Sequence, residues 1–345
     1  MRDRVDSQTT DEFTHPPDLL VRKIGTSLSI LTARTSYAPM LYPRADLFTD
    51  LQNSVHWLPN EIALGSDVDD WKRKLTDSER HLISQVLKGF VTTEIFIEDY
   101  WAAKVSRWFK HPEIQGMCVT FAAFERIHAK AYARLNEELG LDDFDAFLDE
   151  PAAKAKIDRL MSVKGNSKRD IARSLAVFSA FNEGVNLFSS FAVLMSFQQR
   201  NLLKGVGKII EFSVRDETVH STAGCWLFNQ LVAEFPDLMD DELKEELVEA
   251  ARLTVSLEDE FITTAFEQGD IEGISAADLK NYIRYRANTK LQDLGLATNW
   301  KKIDQEALRR MEWFDVLSSG VVSQDSFAGR VSDYGKANVS FDNIY

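Results

Sequence analysis

Residues 125–128 and 217–220 both read Glu-x-x-His, and this repeat constrains the fold more than any other feature of the chain. The first copy lies in Phe121–Leu135, a stretch rich in Ala and Arg with neither Gly nor Pro, which predicts helix. Residues three apart share a helix face, so Glu125 and His128 project together. Tyr132 follows one turn further along the same stripe, which also carries Phe121 and Phe124 and is expected to point inward. A buried glutamate beside a buried histidine needs either hydrogen-bonding partners or a metal.

The upstream acids decide between those two. Glu94 precedes Glu125 by 31 residues and Glu183 precedes Glu217 by 34, each within a mostly apolar run. Each half thus reads as a helix with one Glu, then a helix with Glu-x-x-His. A four-helix bundle carrying this set is the di-metal carboxylate arrangement. Four carboxylates balance two divalent cations, and two imidazoles complete the ligand set. The candidate ligands are therefore Glu94, Glu125, His128, Glu183, Glu217 and His220. Oxygen-rich ligation with only two histidines favours iron or manganese over structural zinc. Glu98, one turn after Glu94, competes in the first half. The second half has Leu187 at that offset, so Glu98 is read as solvated or as supporting a ligand. The expected fold class is all-α, a ferritin-like four-helix bundle with additional helices.

The rest of the chain supplies those helices. Thr76-Asp-Ser-Glu79 is a capping box that opens a long helix through Glu94 to Trp101. Pro112 starts a second, which ends at Gly140. Further helices are expected near 168–200, 203–235, 240–267, 275–293 and 304–316. Residues 1–45, with Pro16, Pro17, Pro39 and Pro43, read as an N-terminal arm. The helical domain then spans 46–317, and the Ser-, Gly- and Asn-rich stretch 318–345 reads as a flexible C-terminal tail.

A net charge of −14 without a basic stripe argues against nucleic-acid binding. Cys118 and Cys225 fall in separate apolar runs, which indicates buried thiols in a reducing compartment rather than a disulfide framework. The N-terminus lacks an apolar signal core, and no apolar run is read as approaching membrane-spanning length, since Leu187–Phe197 is short and interrupted by serines. The expectation is a cytoplasmic protein that does not enter a membrane.

The motifs also carry a resemblance. Glu94, Phe-Glu-Arg-Ile-His-Ala-Lys-Ala-Tyr (124–132), Asn-Glu-Gly (182–184), Arg-Asp-Glu-Thr-Val-His (215–220) and Tyr-Ile-Arg-Tyr-Arg-Ala-Asn (282–288) stand together here. From about Trp57 onward the chain resembles the small, radical-generating subunit of class I ribonucleotide reductase. The resemblance implies that the six candidate ligands bind two metal ions, which react with dioxygen. It implies that Tyr132 is oxidised to a stable tyrosyl radical. Asp216 would link His128 to Trp57 as an electron path, and Tyr334 in the tail would relay the radical to the large subunit. Residues from Ala337 to Tyr345 would dock on that subunit, and the small subunit would be a homodimer. Apart from the resemblance, Leu187 and Phe191 follow Glu183 at helical spacing and are candidates for an apolar cage around a radical.

In one respect the chain departs from the pattern. The first ligand is usually Asp in that family, and here it is Glu94. Glu at this place resembles the branch that uses a manganese–iron pair, in which the radical tyrosine is usually replaced. This chain has Glu94 and Tyr132 together. Di-iron with a Tyr132 radical is the first reading, with Mn/Fe and di-manganese open beside it. Rival functions are a ligand-binding di-metal oxidase, an iron-storage protein and a non-enzymatic helical scaffold with buried ion pairs.

Overall fold

Helix boundaries follow the capping chemistry of the sequence. The structure, a computed structural model, describes residues 28–141 and 164–318, apart from the side chains of Val91 and Thr92. Among these residues the helices are α1 (Pro43–Ser54), α2 (Gly65–Arg73), α3 (Asp77–Asp99), α4 (Pro112–Leu139), α5 (Lys168–Arg200), α6 (Lys204–Glu234), α7 (Asp241–Ala265), α8 (Ala276–Asp293) and α9 (Gln305–Ser318). Thr76 accepts from the Glu79 N–H at 3.3 Å while Glu79 accepts from the Thr76 N–H at 2.8 Å, closing the capping box that starts α3. Gly140, at φ 70°, ends α4 in the left-handed region that a residue with a Cβ adopts only at a cost. Ser167 with Asp170, and Ser275 accepting from the Asp278 N–H, cap α5 and α8.

Helices α3, α4, α5 and α6 form the bundle, with α3 against α4 and α5 against α6. Helix α1 lies across α4 and α6, and α7 and α8 cover the outer side of α5. Two helices depart from α geometry. Helix α3 runs on through a π-helical stretch, Tyr100–Val105, and a last turn, Ser106–Trp108. Helix α5 is π-helical over Ala176–Asn186. Such stretches recur at functional sites because the extra residue per turn re-aims side chains and frees backbone groups.

Helix α5 corrects one expectation. By length and composition Lys168–Arg200 could cross a membrane, with a mean hydropathy of 1.2 over its most apolar window. The apolar run was read too short because it continues N-terminally from Leu187 through Phe178 and Phe181. Of that window 94% is buried inside the fold, so the bundle and the covering helices occupy its apolar surface.

Helix α2 was not read from the sequence at all, being short and mostly polar. Its role is to hold the start of α6. Asp70 Oδ2 accepts from the Leu203 N–H at 3.0 Å and Asp67 Oδ1 from the Val206 N–H at 2.8 Å. Leu203 itself sits at φ 49°, so α6 begins on a strained residue held from outside. Left unpaired, each of those buried N–H groups would cost about 1–3 kcal/mol.

Helix α1 starts at Pro43, inside the stretch read as an arm, and residues 28–42 pack along the bundle. The Ile30 N–H donates to Glu234 at 3.0 Å, and Glu113 Oε1 accepts from the N–H groups of Leu41 and Tyr42 at 2.9 and 3.0 Å. The expected tail, apart from Ser318, lies outside the described residues, and Tyr334 with it.

Candidate metal centre

The bundle brings all six candidate ligands to one buried place. Glu94 on α3, Glu125 and His128 on α4, Glu183 on α5, and Glu217 and His220 on α6 are each buried, none more than 1% exposed. They form two overlapping groups. One is Glu94, Glu125, His128 and Glu217, and the other is Glu125, Glu183, Glu217 and His220, with the ligand atoms of each group within 4.8 Å of one another. Glu125 and Glu217 belong to both, as bridging carboxylates would.

One hydrogen bond joins two of the donors, His128 Nδ1 with Glu125 Oε2 at 3.1 Å, and most of the others face each other without one. His220 Nδ1 lies 2.6 Å from Glu125 Oε1, yet both atoms lack a hydrogen-bond partner because the contact has the wrong alignment. His128 Nδ1 lies 3.2 Å from Glu217 Oε1, which is likewise unpartnered. Both oxygens of Glu94, Oε2 of Glu183 and both oxygens of Glu217 are also buried and unpaired. Buried polar atoms are normally hydrogen-bonded, so this many orphans at one point fits a bound cation pair. The donor set of four carboxylates and two imidazoles has the charge and hardness for two divalent ions.

The electrostatics agree. Burial first, then the charge of Glu125, holds the carboxyl of Glu94 well above its ordinary value. Burial and then the charge of Glu217 do the same to Glu183. Burial and Glu125 raise Glu217. For Glu125 burial acts upward too, but it is outweighed by the charges of His220 and His128 and by the hydrogen bond to His128, and the group falls to about 2. Burial works against a charge on His128, yet Asp216, Glu125 and Glu217 together raise it well above its usual range. Without metal the site is therefore a set of acids competing for protons.

A pH dependence follows. Unfolded, these glutamates ionise near pH 4.5, whereas in the fold Glu94, Glu183 and Glu217 keep protons to higher pH. His128 likewise holds its proton in the fold above its ordinary 6.5. The folded state then binds more protons than the unfolded state, and stability falls as pH rises, by about 1.4 kcal/mol per pH unit for each such group. Glu125 has the opposite sign, but its contribution is present above pH 4.5 and is lost only as pH falls toward 2. Metal-free protein is expected to melt at a higher temperature near about pH 5.5 than near about pH 8. Metal-loaded protein should lack this trend, as differential scanning calorimetry of both forms would show.

Around the donors, Asp216 Oδ2 accepts from the Trp57 indole N–H at 2.9 Å and lies 3.2 Å from His128 Nε2. Its Oδ1 accepts from Gln52 Nε2 at 2.9 Å. With Nε2 protonated toward Asp216, a neutral His128 would present Nδ1 as a lone pair to the group of Glu94, Glu125 and Glu217. Trp57 is 3% exposed, so the set Trp57–Asp216–His128 runs from just beneath the surface to the site.

Tyr132 is fully buried one turn from His128, with ring centroids 6.3 Å apart. Its hydroxyl has no hydrogen-bond partner, and burial followed by the charge of Glu94 raises it well above its ordinary value. Phe90 stacks on it at 4.6 Å, and Phe191 packs on Phe90 at 5.3 Å. Phe191 thus stands one ring behind the tyrosine, and Phe90 touches it. The second half has no tyrosine at this offset because Gly224 lies where α6 and α5 approach closely. A Cβ at Gly224 would sit 2.0 Å from Ser179 Cβ. Glu98 lies outside the cluster, paired with Arg126 at 2.7 Å.

Residues 34–306 match the sequence model of the family described as "Ribonucleotide reductase, small chain". The chain belongs to the ribonucleotide reductase small-chain family. Among its relatives is a protein named as a probable ribonucleoside-diphosphate reductase small subunit in Invertebrate iridescent virus 3, 30% identical over 91% of this chain and 88% of that one. Another is the ribonucleoside-diphosphate reductase subunit beta of Chlamydia pneumoniae, 27% identical over 70% and 74%. The fold is shared with a ribonucleotide reductase subunit from Clostridium botulinum, with TM-score 0.76 and 19% identity over 87% of this chain and 98% of that one. This small chain is the radical-generating component of ribonucleoside-diphosphate reductase, and the family's general function is radical generation at a di-metal centre.

Two contacts in this reductase small chain escaped sequence reasoning. The Trp101 indole N–H donates to Glu183 Oε1 at 2.7 Å, and Arg286 Nε donates to the Gly184 carbonyl at 3.0 Å. Arg286 satisfies a backbone group in the π-helical stretch beside Glu183. Its stretch, 282–288, is part of the resemblance, but the π geometry that needs an outside donor leaves no pattern in the sequence.

Proposed function

We propose that Glu94, His128, Glu183 and His220 are terminal ligands to two metal ions, bridged by Glu125 and Glu217. The reading is carried by one observation, the convergence of unpaired buried donor atoms in two groups that share those two glutamates. When bound, the metal pair supplies the redox chemistry that, with dioxygen, oxidises a neighbouring side chain. Tyr132 is that side chain, and its burial behind Phe90 keeps water and reductants from its ring. Asp216 orients His128 and joins it to Trp57, giving an electron path between site and surface.

Iron is the first choice of metal. The manganese-containing reading draws on Glu94, whose longer side chain replaces the Asp usual in the family. A structural neighbour from Streptococcus sanguinis, with TM-score 0.70 and 20% identity over 81% of this chain and 99% of that one, is described as a dimanganese(II) protein.

The small chain works with a large subunit, reached through the tail, with Tyr334 as the relay and residues 337–345 as the dock. It works as a homodimer, and exposed Ile95 and Val119 on adjacent α3 and α4 are candidates for the face a second copy covers. A chain ending at Gly320 is expected to keep both metals and its tyrosyl signal while losing reductase activity with added large subunit. Full activity in the truncated chain would remove the case for Tyr334.

A further inference from the structure

The second metal position has aromatic neighbours of its own. Trp101 is fully buried, donates its indole N–H to Glu183 Oε1 at 2.7 Å, and has its ring centroid 6.2 Å from that of His220. Tyr100, also fully buried, meets Trp101 edge-on at 5.4 Å and Trp108 edge-on at 6.1 Å. Trp108, at the end of the helix, is only partly buried. Gly165 makes room for it, since a Cβ there would lie 1.9 Å from Trp108 Nε1. Tyr100 is held in place by Phe178, stacked at 3.6 Å and 12° from the π-helical stretch that carries Glu183.

We propose that Trp108, Tyr100 and Trp101 form a second electron route, from the surface to the position held by Glu183 and His220. It is separate from Trp57–Asp216–His128, which reaches the other position, and it rests on the ligand reading above. Neighbouring rings along it are in van der Waals range or close to it, and its inner end is hydrogen-bonded to a ligand. With an oxidised metal pair bound, Trp101 would give up one electron inward and its indole proton would pass to Glu183 Oε1. Trp108 then gives an electron to Trp101 and its own indole proton to solvent, while the proton on Glu183 returns to Trp101. A small soluble one-electron donor, a thiol or ascorbate, restores Trp108 with an electron and a proton. Tyr100 serves as the bridge between the two indoles. Its hydroxyl is fully buried with only the buried Ser179 hydroxyl as a neighbour among the described residues, so oxidising it would leave the phenolic proton with no carboxylate or solvent to take it. The route lets the site be re-reduced, or discharged harmlessly, when the large subunit is absent.

The test uses the full chain loaded with iron and exposed to oxygen without reductant, followed by peptide mapping for oxygenated tryptophan. Oxygenation is expected at Trp108, and it should fall roughly ten-fold or more in Trp101→Phe. Equal oxygenation of Trp108 in Trp101→Phe, or in metal-free protein, would overturn the route. Trp101→Phe also removes the bond to Glu183, so a second arm keeps Trp101 and compares variants at Trp108 in one shared background. In a Trp57→Phe background, Trp108→Phe should slow ascorbate reduction of the oxidised centre roughly ten-fold or more, and Trp108→Tyr should restore it. An unchanged rate in Trp108→Phe would sink the proposal. Metal content on the same samples separates the failures. Two metals per chain with no dependence on Trp101 or Trp108 defeats the route alone, whereas absence of bound metal defeats the ligand reading and the route with it.

Discussion

Replacing Glu217 by alanine is expected to cost the chain both metal ions rather than one. Glu217 belongs to both donor groups, and both of its oxygens are buried without hydrogen-bond partners. Its removal takes away one of four negative charges and one of two bridges. Changes that merely reorient a ligand cost about 10–100-fold in metal affinity, so loss of a shared ligand should exceed about 100-fold at each position. The fold itself should survive, because an acid held above its ordinary ionisation by burial costs the metal-free fold stability at neutral pH. Far-ultraviolet circular dichroism should therefore be unchanged while metal analysis after reconstitution falls to trace. A chain that still holds two metals would exclude Glu217 as a bridge. Loss of a single metal would leave Glu125 as the only shared ligand.

Tyr132→Phe should do the reverse, keeping the metals and removing the radical. The hydroxyl makes no hydrogen bond, so its loss orphans no partner and should change stability by less than about 1 kcal/mol. The ring keeps its stack on Phe90. With no phenol to oxidise, the tyrosyl signal in electron paramagnetic resonance should vanish, and reductase activity with the large subunit should fall by more than about 100-fold. An unchanged signal would place the radical on another residue. Activity retained without any tyrosyl signal would mean that the oxidant is stored on a metal, as the presence of Glu94 allows.

The bundle was legible because its helices announce themselves in local chemistry. The capping box at Thr76 and the terminator Gly140 depend on neighbours in sequence, and the helix periods follow from side-chain burial. The ligand candidates were legible because a di-metal site needs charge and imidazole at fixed helical spacing, twice. What stayed hidden depends on contacts between distant segments. Helix α2 exists to accept hydrogen bonds from the start of α6, and nothing within its own residues signals that. Gln52, Trp101 and Arg286 each meet a partner more than 80 residues away. The π-helical stretches that aim Trp101 and Glu183 at each other are backbone departures with no side-chain signature. The helix α5 itself falls where expected, but its apolar run reaches N-terminally beyond Leu187, because its neighbours bury it on every side. The absence of a tyrosine from the second half was plain in the sequence, but its cause, the close approach at Gly224, needed the packing.

The most direct test of the di-metal, radical-storing reading is metal quantification with electron paramagnetic resonance on the intact chain, reconstituted under air with iron, with manganese and with both. The account predicts two metals per chain and, with iron, a tyrosyl signal that Tyr132→Phe abolishes. No more than trace metal under all three conditions would contradict it.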